Sequence, residues 1–176
     1  EILTPEGGYG LDGPLRNRVD DLVGILNGID TEVWDPASDP MIAAAFDISS
    51  LAARSANRAV LLDRVGFTDD DVPLAGVVTR LTYQKGIDLI ADLVPLLAHI
   101  PMRVAILGSG DADLVARLHA LAGEFPESLA FIEGYDEPLS HLMFAGCDLY
   151  LMPSRFEPCG LTQMQAMRYG AIPVVT

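Results

Sequence analysis

From residue 74 onward, short apolar segments alternate regularly with amphipathic ones, and this alternation is the feature that most constrains the fold. The short segments are rich in Val, Ile, Leu and Ala, which predicts buried β-strands, and the segments between them have helical spacing. Strands separated by helices pair in parallel and are covered on both faces. The sequence therefore predicts an α/β fold with a parallel sheet. The predicted strands are 74–79, 103–107, 129–133, 148–152 and 172–175, and the predicted helices between and after them are 85–100, 111–124, 137–145 and 161–169.

The first part of the chain has a different character. Residues 1–21 are rich in Gly, Pro and charged side chains, which predicts a loop or tail. The apolar spacing of 49–65 predicts a helix, with Ser49 or Ser50 as its N-cap and Gly66 as its end. The sequence stops at Thr176 on a predicted strand, so we expect a chain cut at both ends.

Charge and composition exclude several classes of function. The 176 residues have a formal net charge of −14, which argues against a nucleic-acid partner, because phosphate neutralisation requires clustered Lys and Arg. No apolar run approaches the ~20 residues that span a bilayer, so no membrane partner is expected. The two cysteines and three histidines have no metal-ligand or disulfide spacing, which predicts no metal site and a reducing compartment. Ten of the eleven basic residues are Arg, and Lys85 is the only lysine.

Most of the unusual residues fall in loops that follow the predicted strands. Ligands of parallel sheets bind beyond the carboxyl ends of the strands, so we expect the site there. The loops in question are 79–85, 108–111, 133–137 and 153–162.

Two of these loops carry charged side chains. Arg80 and Lys85 flank a predicted helix start, where cations are unfavourable unless an anion lies nearby. The alternative is that Arg80 pairs with a surface acid and Lys85 is solvated. Glu157 could accept hydrogen bonds from sugar hydroxyls, or it could pair with Arg155 or cap the following helix. The free N–H groups of Leu161 and Thr162 start that helix and could hold a phosphate. Cys159 has no partner that would make it a nucleophile.

The other two loops carry small and aromatic residues. Gly108-Ser109-Gly110 lacks the third position of the dinucleotide fingerprint, so it is either a tight turn capped by Asp111 or a place where a ligand approaches the backbone. Tyr135 could stack on a base or be half-buried. We expect His99, His119 and His141 to be structural or solvated.

Three runs resemble the family of bacterial glycogen synthases and plant starch synthases. They are residues 24–30 (GILNGID), 79–86 (TRLTYQKG) and 153–163 (PSRFEPCGLTQ), and their order and the Gly134-Tyr135 loop fit as well. The resemblance covers essentially the whole chain. It implies a Rossmann-like sheet, truncated here, that forms the C-terminal, donor-binding domain of a GT-B glycosyltransferase. On this basis residues 1–21 would be the tail of the preceding N-terminal domain with its linker, and 22–176 the incomplete C-terminal domain.

The resemblance also implies an activity. The family transfers glucose from ADP-glucose to the non-reducing 4-hydroxyl of an α-1,4-glucan, with retention of configuration and with neither metal nor cofactor, in the cytoplasm or, in plants, the plastid. By resemblance, Arg80 and Lys85 would act in catalysis by holding the diphosphate, and Glu157 would contact the glucose near the reacting centre. The wider group often has a second Glu eight residues later, but here Gln165 stands there.

The donor would also be bound by residues outside the charged set. By resemblance, Tyr135 would lie against the adenine, and the helix start at Gly160, Leu161 and Thr162 would hold the distal phosphate. Two alternatives stay open: a retaining GT-B enzyme with a different nucleotide sugar, and a nucleotide-binding module without catalysis. Because the acceptor domain lies outside this sequence, we expect the 176 residues alone to be inactive.

Overall fold

Five parallel strands form the centre of the molecule, described by a computed structural model over residues 1–97 and 99–176. The strands are β1 (Leu74–Val78), β2 (Arg103–Gly108), β3 (Leu129–Glu133), β4 (Leu149–Met152) and β5 (Ile172–Val175). The helices are α1 (Pro5–Gly8), α2 (Asp12–Arg16), α3 (Arg54–Val65), α4 (Ile87–Leu97), α5 (Ala112–Glu124), α6 (Glu137–Gly146) and α7 (Leu161–Arg168). Short 3-10 turns occupy Val19–Asp21, Leu51–Ala53 and Tyr83–Lys85.

The sheet has the order β3-β2-β1-β4-β5, so the chain starts at the centre, moves to one edge, and then crosses to the other side of β1. All its neighbouring strands are parallel. The reversal between β1 and β4 is the kind of point at which doubly wound sheets bind ligands. The predicted α/β class and the five predicted strands are confirmed.

Alternate residues of the strands face two separate layers of helices. Val104 and Ile106 pack with α4 and α5, whereas Ala105 and Leu107 pack with α3 and α6. Both sets are buried, which explains why the strands are apolar throughout rather than alternating with polar residues. A third cluster joins α6 and α7 to the segment before α3 through Phe46, Phe144 and Tyr169.

Two predictions for the first part of the chain are wrong in detail. Residues 1–21 are not merely a loop, because Thr4 caps α1 by accepting a hydrogen bond from the N–H of Gly7 (3.2 Å). The helix predicted over 49–65 begins as a 3-10 turn, and Ser50 bonds with Asp47 instead of capping α3. Gly66 does end α3, with a left-handed φ of 81°.

The helix predicted over 85–100 is shorter because Gly86, with φ of 68°, separates the preceding 3-10 turn from α4. Its residue 98 lies outside the described residues. The proposed division of the chain at residues 21 and 22 stays a prediction. Over the described ranges, none of the helices combines the length and apolar character needed to cross a bilayer.

Candidate active site

The loops at the carboxyl ends of the strands surround two adjacent cavities. The first, of about 380 Å³, is lined by Asn27, Val78, Thr79, Arg80, Lys85, Met152, Glu157, Pro158, Cys159, Gly160, Leu161 and Thr162. The second, of about 230 Å³, is lined by Val78, Thr79, Arg80, Leu107, Gly108, Ser109, Gly134, Tyr135, Asp136 and Ser140. Every residue predicted for the site lines one of these cavities, and Arg80 lines both.

An ion pair between Lys85 and Glu157 forms one wall of the first cavity. Their Nζ and Oε2 atoms are 2.5 Å apart, and their side chains are only 16% and 22% exposed. Burial raises the pKa of Glu157, but the hydrogen bond and charge of Lys85, with further hydrogen bonds from Ser154 and Gly160, outweigh it and hold that pKa below its usual value. The pair therefore presents an ionised carboxylate and an ammonium group side by side.

The structure decides among the alternatives for these charged residues. Glu157 does not pair with Arg155, because Arg155 binds Asp88 through both Nη atoms at 2.6 and 2.7 Å. The main partner of Glu157 is Lys85 and not the N–H groups of α7. Lys85 is not solvated, since it is paired and mostly buried. Arg80 is exposed, and within residues 1–97 and 99–176 it forms no ion pair with an acid.

The N-terminus of α7 completes this wall. Gly160 precedes the helix in a left-handed conformation (φ 75°), which turns the chain so that the helix begins at the cavity. The N–H groups of Leu161 and Thr162 belong to the first turn and have no intrahelical acceptor. No acidic residue lies in that turn to neutralise the positive end of the helix.

The second cavity has an aromatic wall and a glycine-rich one. Tyr135 is 85% exposed, so of the two alternatives for this residue the half-buried one is wrong, and its ring is free to contact a ligand. A Cβ atom on Gly108 would lie 2.1 Å from the carbonyl oxygen of Thr79, and one on Gly110 would lie 2.2 Å from that of Leu81. Glycine is required at both positions because the loop that contains Thr79 and Leu81 leaves no room for a Cβ atom. Asp111 stands at the N-cap of α5 but makes no capping hydrogen bond.

His141 belongs to the core, whereas His99 and His119 lie on the surface. His141 bonds through Nδ1 to Asp39 at 2.7 Å, stacks on Trp34 and is buried, so its structural role is confirmed. His119 bonds to Glu133 on the surface. In the part of the chain that the structure describes, no three His, Cys, Asp or Glu side chains come together as a metal centre.

The two cysteines should differ sharply in reactivity. Cys147 is fully buried and burial raises its pKa to about 12, whereas Cys159 lines the first cavity and is partly exposed. Because the thiolate is the reactive form, iodoacetamide at pH 8 should label Cys159 in the folded protein and leave Cys147 unmodified. Peptide mass spectrometry before and after denaturation in urea measures this. Labelling of both thiols at equal rates in the folded protein would contradict the described burial.

Sequence reasoning missed two features of the site. Asn27 lines the first cavity and its carbonyl accepts a hydrogen bond from the Cys159 thiol (3.6 Å), although no role in the site was predicted for it. The contacts of Arg155 and Gln84 that join two loops were not foreseen either. The sequence pattern could not predict these loop–loop contacts, because the residues that form them are 67 to 72 positions apart in the chain.

A doubly wound parallel sheet, with cations and a helix N-terminus at the carboxyl edge of its strands, defines a Rossmann-like domain. Residues 62–176 match the sequence profile of the family described as glycosyl transferases group 1, and the chain belongs to this family. Its sheet is that of the C-terminal domain of a GT-B glycosyltransferase.

The chain is also similar to individual proteins. It is 52% identical to glycogen synthases of Rhodopseudomonas palustris strain BisA53 and Roseobacter denitrificans over 99% of its length, which is 36% and 37% of theirs. It superposes with a TM-score of 0.92 and 38% identity on the catalytic domain of starch synthase IV from Arabidopsis thaliana bound to ADP and acarbose, covering 99% of this chain and 36% of that one. The chain thus spans about a third of the length of the proteins it matches.

Proposed function

We propose that this chain is the donor-binding part of an ADP-glucose-dependent glucan synthase. The whole protein would transfer glucose to the non-reducing 4-hydroxyl of an α-1,4-glucan with retention of configuration. One observation carries the proposal: Arg80, the Lys85–Glu157 pair and the start of α7 line one cavity at the switch point of the sheet. The similarity to glycogen synthases and to a starch synthase bound to ADP supports the choice of donor and acceptor.

The charges of the cavity match the needs of glucosyl transfer. Breaking the bond between glucose and phosphate places negative charge on the leaving diphosphate, while the sugar gains positive character. Arg80, Lys85 and the N–H groups of Leu161 and Thr162 supply positive charge and hydrogen-bond donors to the diphosphate, and this stabilisation is greater in the transition state than in the ground state. The Glu157 carboxylate accepts hydrogen bonds from the glucose and stabilises the positive sugar.

The second cavity suits the nucleoside. It opens beside Arg80, so a diphosphate held in the first cavity would place its nucleoside against Tyr135. Aromatic stacking is compatible with any base, and the preference for adenine therefore rests on the similarity to the ADP-bound synthase. By similarity to the bacterial glycogen synthases we place the protein in the cytoplasm.

Tyr135 gives a prediction for nucleotide affinity. Replacing Tyr135 by alanine removes the exposed ring from the second cavity and should weaken ADP binding about tenfold, because base stacking contributes about 1–3 kcal/mol. Isothermal titration of the full-length protein with ADP measures the Kd. Tyr9, an equally exposed tyrosine that lines neither cavity, provides the control, and Tyr9→Ala should bind ADP like the wild type. Equal affinities of both variants would remove Tyr135 from the binding site.

The proposal is tested by donor competition in the full-length protein. Radiolabelled ADP-glucose and a glucan primer are supplied with unlabelled ADP-glucose or UDP-glucose as competitor, and the label in polymer is counted. We expect transfer from ADP-glucose, strong competition by unlabelled ADP-glucose, and weak competition by UDP-glucose. Preferred use of UDP-glucose would favour the second candidate, a related enzyme with a different donor. Nucleotide binding without transfer from either donor would favour a binding module.

A further inference from the structure

The two loops that carry Lys85 and Glu157 are joined by a second set of contacts outside the cavity. Arg155 lies in the β4–α7 loop and reaches across to the β1–α4 loop and the first turn of α4. Its guanidinium donates to both carboxylate oxygens of Asp88 at 2.6 and 2.7 Å and to the carbonyl oxygen of Tyr83 at 2.8 Å. The same group lies 3.6 Å from the centre of the Tyr83 ring. We call Arg155, Asp88 and Tyr83 the latch.

The latch uses features that only an arginine side chain provides. A planar guanidinium can bind a carboxylate with two parallel hydrogen bonds while its face stacks on an aromatic ring. The Arg155 hydrogen bond lowers the pKa of Asp88, and the Asp88 hydrogen bond raises the pKa of Arg155. Both pKa values shift in the direction expected for an ion pair joined by direct hydrogen bonds.

Backbone contacts place the latch in register with the ion pair in the cavity. The N–H of Arg155 donates to the carbonyl oxygen of Gln84 at 2.8 Å, and Nε2 of Gln84 donates to the carbonyl oxygen of Phe156 at 3.1 Å. Gln84 and Phe156 are the direct neighbours of Lys85 and Glu157. The latch and the Lys85–Glu157 pair therefore join the same two loop segments at adjacent positions.

The latch is separate from the cavity itself. Neither Arg155 nor Asp88 lines it, and the Asp88 carboxylate is already occupied by two hydrogen bonds. We propose that Arg155 is a positioning residue, which through Asp88 and Tyr83 holds Lys85 and Glu157 in the geometry required for transfer. This inference rests on the proposed function for its kinetic consequences.

Kinetics of the full-length protein test the latch by a double-mutant cycle. Arg155→Lys keeps the charge but cannot bind Asp88 with two parallel hydrogen bonds, and Asp88→Asn keeps the shape but loses the charge. Each should lower kcat about tenfold to a hundredfold, because small displacements of catalytic groups have effects of that size, while KM for ADP-glucose changes less than about threefold. The double variant should lose no more than the worse single variant, because either change opens the same contact.

A matched ion pair provides the control. Arg117 and Asp92 join α5 to α4 at 2.5 Å on the surface, away from both loops, and Arg117→Ala should keep the wild-type kcat. Wild-type rates in Arg155→Lys and Asp88→Asn would overturn the proposal. So would losses that multiply in the double variant, or variants that unfold at the assay temperature, since Arg155 would then serve stability and not position.

A measurement without substrate separates this inference from the proposed function. The carboxyl carbon of Glu157 can be titrated by ¹³C NMR in wild type, Arg155→Lys and Arg117→Ala. Loosening the loops should weaken the Lys85 contact and raise the pKa of Glu157 in Arg155→Lys only. If the wild type transfers no glucose, the proposed function fails, whereas this titration still decides whether the latch positions Glu157. An unchanged pKa of Glu157 in Arg155→Lys would overturn the positioning role of Arg155.

Discussion

Replacing Lys85 by alanine should lower the rate of glucosyl transfer by roughly one to two powers of ten. In the proposed function, the variant loses a charge-assisted hydrogen bond to the leaving diphosphate, and such bonds contribute about 1.5–3 kcal/mol. It also leaves Glu157 partly buried without its cation. The desolvation that Lys85 now offsets would then raise the pKa of Glu157.

Steady-state kinetics with ADP-glucose and a glucan primer measure this effect in the full-length protein. Because the lost interaction grows as charge develops on the leaving group, we expect the decrease mainly in kcat. Arg117→Ala, which also removes one cation from an ion pair, is the control for charge alone. A wild-type rate in Lys85→Ala would remove Lys85 from the catalytic site.

Replacing Gly86 by alanine should have the largest effect on stability. Its φ is 68°, and an added Cβ would lie 2.0 Å from the carbonyl oxygen of Pro153. Backbone has to move at the point where the loops of Lys85 and Glu157 touch. We expect a loss of about 2 to 4 kcal/mol in the free energy of unfolding, from unfavourable φ and overpacking together.

Urea denaturation of wild type and variant side by side measures this loss. Gly123→Ala is the matched control, because Gly123 lies in α5 with no atom within 4 Å of an added Cβ. There alanine should increase stability by up to ~1 kcal/mol through its higher helix propensity. A Gly86→Ala variant as stable as Gly123→Ala would contradict the close contact between Gly86 and the carbonyl oxygen of Pro153.

Much of the fold was predictable because it depends on local pattern. The apolar strands and the helices between them follow from hydrophobic periodicity, and parallel pairing follows from their alternation. The positions of the loops followed in turn, since carboxyl ends of parallel strands share one edge. Arg80, Lys85, Glu157 and Tyr135 were therefore predicted to lie near one another, and the structure places all four at that edge.

The partners of these residues were not predictable, because contacts between distant residues leave no local signal. Nothing in the spacing indicated that Lys85 would pair with Glu157 or Arg155 with Asp88, since each pair is 67 or more positions apart. Helix boundaries failed for a different reason. Gly86 could continue a helix by sequence, but its left-handed φ of 68° ends the 3-10 turn, and the backbone of Pro153 packs against it.

A crystal structure of the full-length protein with ADP bound tests the central claim most directly. We expect the diphosphate to occupy the first cavity, with phosphate oxygens within hydrogen-bond distance of Arg80, Lys85 and the N–H groups of Leu161 and Thr162. The adenine should lie against Tyr135. A diphosphate bound elsewhere, with these groups free of contact, would contradict the account.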